Sequence, residues 1–286
     1  MRNWLIIGII LCFQPAFSQS YSFKKKQSAQ KGAMYFYWGY NRSIYTKSNI
    51  QFTGENYDFT VIKAKAHDNP STELQTYVNL KMISIPQFNI RLGYYFKHKW
   101  DVSFGYDHMK YVMADYQDAT LDGYIDPSAN NYLSGQFDQQ IYTLTPNMIH
   151  YENSNGLNYI SVQINHTKSL YRTHSRKIRL QRRLGVGLGG VVTQTDFRWS
   201  GIEYHTKLKP SGAGASVHTG LRLDFFNRLF LQSNWSSGII YLPKVQTIAD
   251  TKNYASQKFI YADWQLLGGI SLYLRTKNDC GSCPDW

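Results

Sequence analysis

Gln87-Phe88-Asn89-Ile90-Arg91-Leu92-Gly93-Tyr94-Tyr95-Phe96, the turn Lys97-His98-Lys99, and Trp100-Asp101-Val102-Ser103-Phe104-Gly105-Tyr106-Asp107 together decide the fold of this chain. Phe88, Ile90, Leu92, Tyr94 and Phe96 alternate with Gln87, Asn89, Arg91, Gly93 and Tyr95. After the turn, Trp100, Val102, Phe104 and Tyr106 alternate with Asp101, Ser103, Gly105 and Asp107. Successive side chains of a strand point to opposite faces, so each segment has one apolar wall and one wet wall. A soluble sandwich shares that alternation. Strands this long and aromatic fit a barrel with lipid outside and a polar interior.

The same rule extends outward along the chain. Alternating spans are expected over 33–42, 157–166, 179–193, 213–225, 229–241 and 259–275, with Phe226-Asn227-Arg228 as another tight turn. The reading is an all-β, up-and-down antiparallel transmembrane β-barrel of about eight strands, an even number allowed for a small barrel. It rises to ten or twelve if 57–65 and 140–151 also span; otherwise those two form strands above the membrane. The connections 43–86, 113–156, 194–212 and 242–258 are long and fall on one side by strict alternation, which places them outside the cell and the short turns in the periplasm. At this strand number side chains fill the interior, which disfavours a small-solute channel. Gly185, Gly187 and Gly189 leave room in a narrow lumen. Lumen-facing charges are expected at Arg91, Asp101, Asp107, Arg222, Asp224 and Asp263, paired as a plug rather than strung out as an ion path.

Residues 1–18 read as an export signal, with Arg2, an apolar run from Leu5 to Phe13, and Ala16-Phe17-Ser18 before the cleavage site. The run is too short for a spanning helix. A periplasmic segment is expected over 19–31, the barrel over 32–275, and a periplasmic tail over 276–286. That tail holds Cys280-Gly281-Ser282-Cys283. With no βαβ pattern around it and no second ligand pair, a local disulfide between Cys280 and Cys283 is the expectation, not redox catalysis or zinc.

Aromatic residues make up 16% of the chain, with 23 Tyr, the residue type that favours membrane interfaces. The net charge of +12 fits scattered surface Lys and Arg, or an anionic partner. For an exported barrel that partner is outer-membrane lipid and the phosphate of lipopolysaccharide, and an exported chain does not meet nucleic acid. The densest basic stretch is Arg172, Arg176, Lys177, Arg179, Arg182 and Arg183. No cofactor or metal is indicated by any motif.

One polar cluster has catalytic chemistry in it. His108 and Lys110 close one span, and His150, Glu152 and Ser154 precede another. Positions two apart share a face, so these three line up and invite a hydrolase reading with Ser as nucleophile, His as base and Glu as orienter. The plainer reading is rim polarity. The stretch His150-Tyr151-Glu152-Asn153-Ser154-Asn155-Gly156 resembles the His-x-Ser-Asn segment of outer-membrane lipid A deacylases, eight-stranded barrels with an active site near the outer surface. Here the Ser lies four residues after the His instead of two, about 13 Å along a strand.

Tyr35-Phe36-Tyr37-Trp38-Gly39-Tyr40-Asn41-Arg42, Gly105-Tyr106-Asp107-His108-Met109-Lys110-Tyr111 and Gly156-Leu157-Asn158-Tyr159 resemble a family of outer-membrane β-barrel proteins of Bacteroidota-type Gram-negative bacteria. The resemblance covers nearly the whole mature chain. It implies location in the outer membrane and the barrel fold, but no activity; assembly by the barrel-assembly machinery is a separate expectation for an exported barrel. The functional expectation is a non-enzymatic role in envelope integrity or in surface recognition through the long loops, with a lipid-modifying hydrolase and a small-solute channel as alternatives.

Overall fold

In the computed structural model, residues 31–273 are described, except 80, 83, 84, 176 and 250. The expected signal peptide and the Cys280–Cys283 tail lie outside them. In chain order the elements are β1 (Ala33–Tyr45), β2 (Ser48–Gly54), β3 (Tyr57–Ala64), β4 (Ala66–His67), α1 (Leu74–Val78), β5 (Phe88–Lys97), β6 (Trp100–Met113), β7 (Gln117–Ile125) and β8 (Gly135–Leu144). They continue with β9 (Ile149–Arg172), β10 (Ile178–Thr193), β11 (Asp196–Trp199), β12 (Ile202–His205), β13 (Lys209–Phe225), β14 (Leu229–Gln246) and β15 (Tyr254–Tyr273).

Eight of these strands close on themselves in the order β1-β5-β6-β9-β10-β13-β14-β15, with β15 pairing back to β1. All eight were legible as alternating segments. A row of paired residues that leaves β15 at Gly268 through Trp38 of β1 returns to β15 at Lys258, a displacement of ten residues. With ~3.3 Å per residue and ~4.8 Å between strands, that displacement tilts the strands by roughly 40°, within the ~35–45° range of closed barrels. At one end the turns are short: His98-Lys99, with Lys99 at φ 67°, and Phe226-Asn227-Arg228, with φ of 52° and 59° at its first two residues.

The outward faces of these strands carry Phe36, Leu92, Phe104, Val162, Leu188, Val217, Leu231, Trp264 and their like, all exposed. A continuous exposed apolar band of this kind is stable only against hydrocarbon. Among the described residues no helix is long and apolar enough to cross a membrane; the strands cross it, their backbones paired with neighbours around a closed wall.

Polar groups fill the lumen of this lower barrel. All six expected lumen charges are buried there. Arg91 donates to Asp107 (2.9 Å) and to Ser161 Oγ (3.0 Å). Arg183 donates to Asp101 (3.0 Å) and to the Tyr35 hydroxyl (2.8 Å), which itself donates to Asp101 (2.6 Å). Arg179 donates to Asp224 (2.9 Å). Arg222 bonds Gln232 (2.7 Å) and lies 3.7 Å from the Phe230 ring centre. Asp263 accepts from Gln265 (2.7 Å). Gly185 makes room for this packing: a Cβ there would sit 2.4 Å from Asn165 Oδ1 and 2.5 Å from His218 Nε2.

The basic stretch at 172–183 divides accordingly. Arg179 and Arg183 turn inward to their aspartates and Arg182 turns outward, all three near the short-turn end. Arg176 lies outside the described residues.

The long connections are folded. β15 continues upward to pair with β2, followed by β3, β7 and β8; the β11–β12 hairpin adds to the upper part of β9. The strand expected over 57–65 is β3, and it stands above the band. The single strand expected over 140–151 is not observed: it is the end of β8 and the start of β9, separated by a turn whose Met148 and Ile149 amides bond the Thr145 carbonyl. Pro146 lies in that turn and breaks the run. This head has a dry core, with Phe52, Phe59, Tyr111, Phe137, Tyr151, Phe197 and Trp199 all buried. Phe52 stacks on Phe59 (5.4 Å between centroids) and on Phe197 (5.7 Å).

Candidate functional site

β9 runs without a break from the head into the barrel, and its upper outward face carries His150, Glu152 and Ser154, as the alternation required. At the lower end of this region β9 carries a bulge: Tyr111 pairs with Asn153 and Met109 with Leu157, so three residues of β9 oppose Lys110. Ser154, within the bulge, donates its hydroxyl to Glu152 Oε1 at 2.9 Å. His150 Nε2 lies 3.5 Å from the other Glu152 oxygen, and its Nδ1 lies 2.8 Å from Asp115. The four side chains therefore form a chain in the order Ser154, Glu152, His150, Asp115.

Glu152 first, and Asp115 with it, hold the His150 imidazole above its ordinary range against the opposing effect of burial; contact with His150 holds the Glu152 carboxyl below its own. An imidazole between two carboxylates is stabilised as the cation. A nucleophilic serine needs the opposite, a neutral nitrogen accepting its proton. In this arrangement the Ser154 proton points at a carboxylate, and the His150 imidazole bridges the turn after β6 to β9.

His108 stands apart from these residues. It faces outward lower on β6, where its Nδ1 meets Asn158 Oδ1 at 2.7 Å and its ring packs 5.4 Å from Phe88. Tyr106 donates to the same Asn158 oxygen at 2.6 Å. The structure thus joins His150, Glu152 and Ser154 and leaves His108 in a separate patch near the top of the apolar band.

The residues that complete the upper face were not singled out from the sequence. Asp196 pairs across from Glu152 and Arg198 from His150, while β12 sets His205 beside Asp196 and Glu203 beside Arg198. His205 Nδ1 is 2.6 Å from Asp196, which raises its pKa, and Arg198 bonds Glu203, which lowers that of the carboxyl. These residues enclose a shallow groove of about 140 Å³. A signal for it existed: Asp196-Phe197-Arg198-Trp199 and Ile202-Glu203-Tyr204-His205 both alternate in polarity around Ser200-Gly201, whose positive φ values (53° and 77°) suit a two-residue hairpin turn. No group of three or more His, Cys, Asp or Glu among the described residues is arranged to hold a metal ion.

A closed eight-stranded wall, an outward apolar band and a polar plugged lumen define an outer-membrane-type β-barrel. No family model and no curated protein matches the chain. Among solved structures, it is similar to Ail, the attachment invasion locus protein of Yersinia pestis, at 12% identity over 85% of this chain and 99% of that one (TM-score 0.33). It is similar to the outer membrane protein OprG from Pseudomonas aeruginosa at 9% identity over 85% and 97% (TM-score 0.37). The outer membrane protein AlkL, solved in lipid bilayers, is 10% identical over 91% and 98% (TM-score 0.40). These likenesses concern architecture, and no functional residue is transferred from them.

Proposed function

We propose that this chain is a non-enzymatic protein of the Gram-negative outer membrane whose barrel holds a rigid recognition head at the cell surface. The observation that carries the reading is the head itself. The long connections, where binding residues usually reside, are built into paired strands over an aromatic core. A plugged lumen fits a support better than a conduit. Under this reading the chain is assembled by the barrel-assembly machinery, sits among lipopolysaccharide and outer-membrane lipid, and is of the Bacteroidota-type family that its aromatic motifs resemble.

The test is to replace the β7–β8 hairpin by a short turn and return the variant to cells lacking the protein. The expected result is loss of the surface or envelope phenotype while heat-modifiable mobility on gels, the mark of a folded barrel, survives. A variant that keeps the phenotype overturns the recognition reading.

Lipid hydrolysis is the second reading, favoured by the position of His150, Glu152 and Ser154 on the outer face just above the band. Mass spectrometry of lipid A from cells overproducing the protein or its His150→Ala variant tests it. An acyl chain lost only with the unsubstituted protein would establish the activity, and unchanged lipid A would remove it.

A further inference from the structure

Leu74 and Val78, one turn apart on α1, are 79% and 72% exposed, while Thr76 between them is buried. The helix has only five residues and no side-chain cap. So short a helix has little stability of its own in water and depends on what it packs against. α1 lies against the outer wall of the barrel. Tyr40 of β1 donates its hydroxyl to the Tyr77 carbonyl, and the two rings meet edge-on at 4.9 Å. Arg42 donates to the Tyr77 hydroxyl at 2.9 Å, with its guanidinium 5.8 Å from the ring centre. Trp38 packs on the other side of Tyr40, 4.6 Å away.

The depth of this contact follows from the wall. The outward residues of β1 run from Met34 to Ile44. At ~3.3 Å per residue and roughly 40° of tilt they climb about 25 Å, the height of the apolar band of such barrels. Arg42 and Tyr40 are two and four residues below Ile44, so about 5–10 Å beneath the upper edge. That is the depth at which interfacial helices bury their apolar side. It is also a depth at which a bare guanidinium facing lipid is costly.

We propose that α1 is an interfacial anchor: Leu74 and Val78 rest in the headgroup–acyl boundary of the outer leaflet while Tyr77 takes up Arg42 behind them. The occupant of the exposed face is membrane lipid, because the face continues the band formed by Trp38, Tyr40 and Ile44. The anchor fixes the passage from the head back to the wall strand β5 against the membrane plane. It rests on the barrel reading above.

The test is fluorescence depth quenching in phosphatidylcholine vesicles, in a Cys280→Ser, Cys283→Ser background. An environment-sensitive label is placed at Val78→Cys, at Val186→Cys in the mid-band and at Ile141→Cys on the head. Position 78 is expected to be quenched by a nitroxide lipid labelled near the headgroup, several-fold more than position 141, and to be shielded from aqueous iodide. Hydroxyl-radical footprinting of the unlabelled protein in the same vesicles checks that the label does not drive insertion: Leu74 and Val78 should oxidise far less than Ile141. Behaviour of position 78 like that of position 141 overturns the proposal, as does protection that depends on protein concentration, which would mark a second copy as the occupant. If position 186 also escapes quenching by a lipid carrying its nitroxide deep in the acyl chain, the barrel reading itself has failed, so the two failures are distinguishable.

Discussion

The lower barrel and the head are built from the same strands with opposite polarity. In β9, Ile149 and Tyr151 are buried in an aromatic core while His150 and Glu152 face water; about ten residues on, Ser161, Gln163 and Asn165 are buried and Val162 and Ile164 are exposed. The bulge at 154–156 lies between the two regimes. Below it the interior is held by charge-assisted hydrogen bonds in an enclosed space; above it, by apolar burial and ring packing. What this teaches is that exposure alone does not tell surface from core here. The solvent on the outside changes from hydrocarbon to water partway up a continuous strand.

Breaking each interior should therefore have a different reach. Removing one member of a buried ion pair leaves the other uncompensated, at a cost of about 3–5 kcal/mol. Asp101→Ala strands Arg183 in the lumen near the short-turn end, and Tyr35 loses its acceptor with it. The expected outcome is a global loss of that size in urea unfolding from vesicles, with reduced heat-modifiability. Phe52→Ala removes a ring that contacts Phe59, Tyr151 and Phe197. Aromatic-to-alanine changes in cores also cost about 3–5 kcal/mol, but here the loss should stay in the head. Protease should cut residues 48–64 and 117–144 while the barrel keeps its gel mobility. If Asp101→Ala leaves barrel stability unchanged, the lumen network is not what holds the lower half.

The outer faces give a sharper contrast at smaller cost. Val186 and Ile141 are 57% and 74% exposed. An arginine facing the middle of the hydrocarbon costs roughly 2–4 kcal/mol, whereas a substitution on a watery surface stays within about 0.5 kcal/mol. Val186→Arg should therefore destabilise the protein in vesicles by that larger amount and Ile141→Arg hardly at all. Equal effects at the two positions would mean that both face the same solvent, and the membrane assignment would fall.

The eight wall strands were legible because a membrane barrel repeats one simple rule, apolar out and polar in, over segments long enough to show the period. Arg91, Asp107 and Asp263 could be placed in the lumen for the same reason. The head was harder to see because its rule is reversed. Phe52, Phe59 and Tyr57 alternate with polar residues as wall strands do, so the pattern alone does not say which side is wet. The chemistry of the upper face was half legible: the spacing of His150, Glu152 and Ser154 put them on one face, but Asp115 comes from the turn after β6 and Asp196 and His205 from β11 and β12. Only the long-range pairing of β11 with β9 brings two of those together with Glu152. His108 was grouped with His150 by nearness in pattern, but it lies opposite Asn158 while Val112, four residues further up β6, lies opposite Glu152.

The smallest expected effect concerns the acid–base chain that ties the head together on its outside. His150 faces Asp115 from the turn after β6, Glu152 on its own strand, and Arg198, Glu203, Asp196 and His205 from the β11–β12 hairpin, with Lys110 below. Its pKa is raised by Glu152 and Asp115, so its contribution is complete below about 6.5, the unfolded value, and is lost as pH climbs through the higher folded one. Glu152, whose pKa is lowered, contributes fully above about 4.3 and loses that contribution as pH falls through its depressed value. Between the two limits the head should be most closed. The pair is only partly buried, so the difference should be under about 1 kcal/mol, too small for a global unfolding curve. Hydrogen exchange of the β9 and β11 amides, corrected for the intrinsic rate, should show faster local opening at alkaline pH than at mildly acidic pH. His150→Gln should remove that difference while leaving the amides of the lower barrel untouched. A pH dependence that survives the substitution would move the titrating group elsewhere, with His205, bound to Asp196 on the same face, as the next residue to replace.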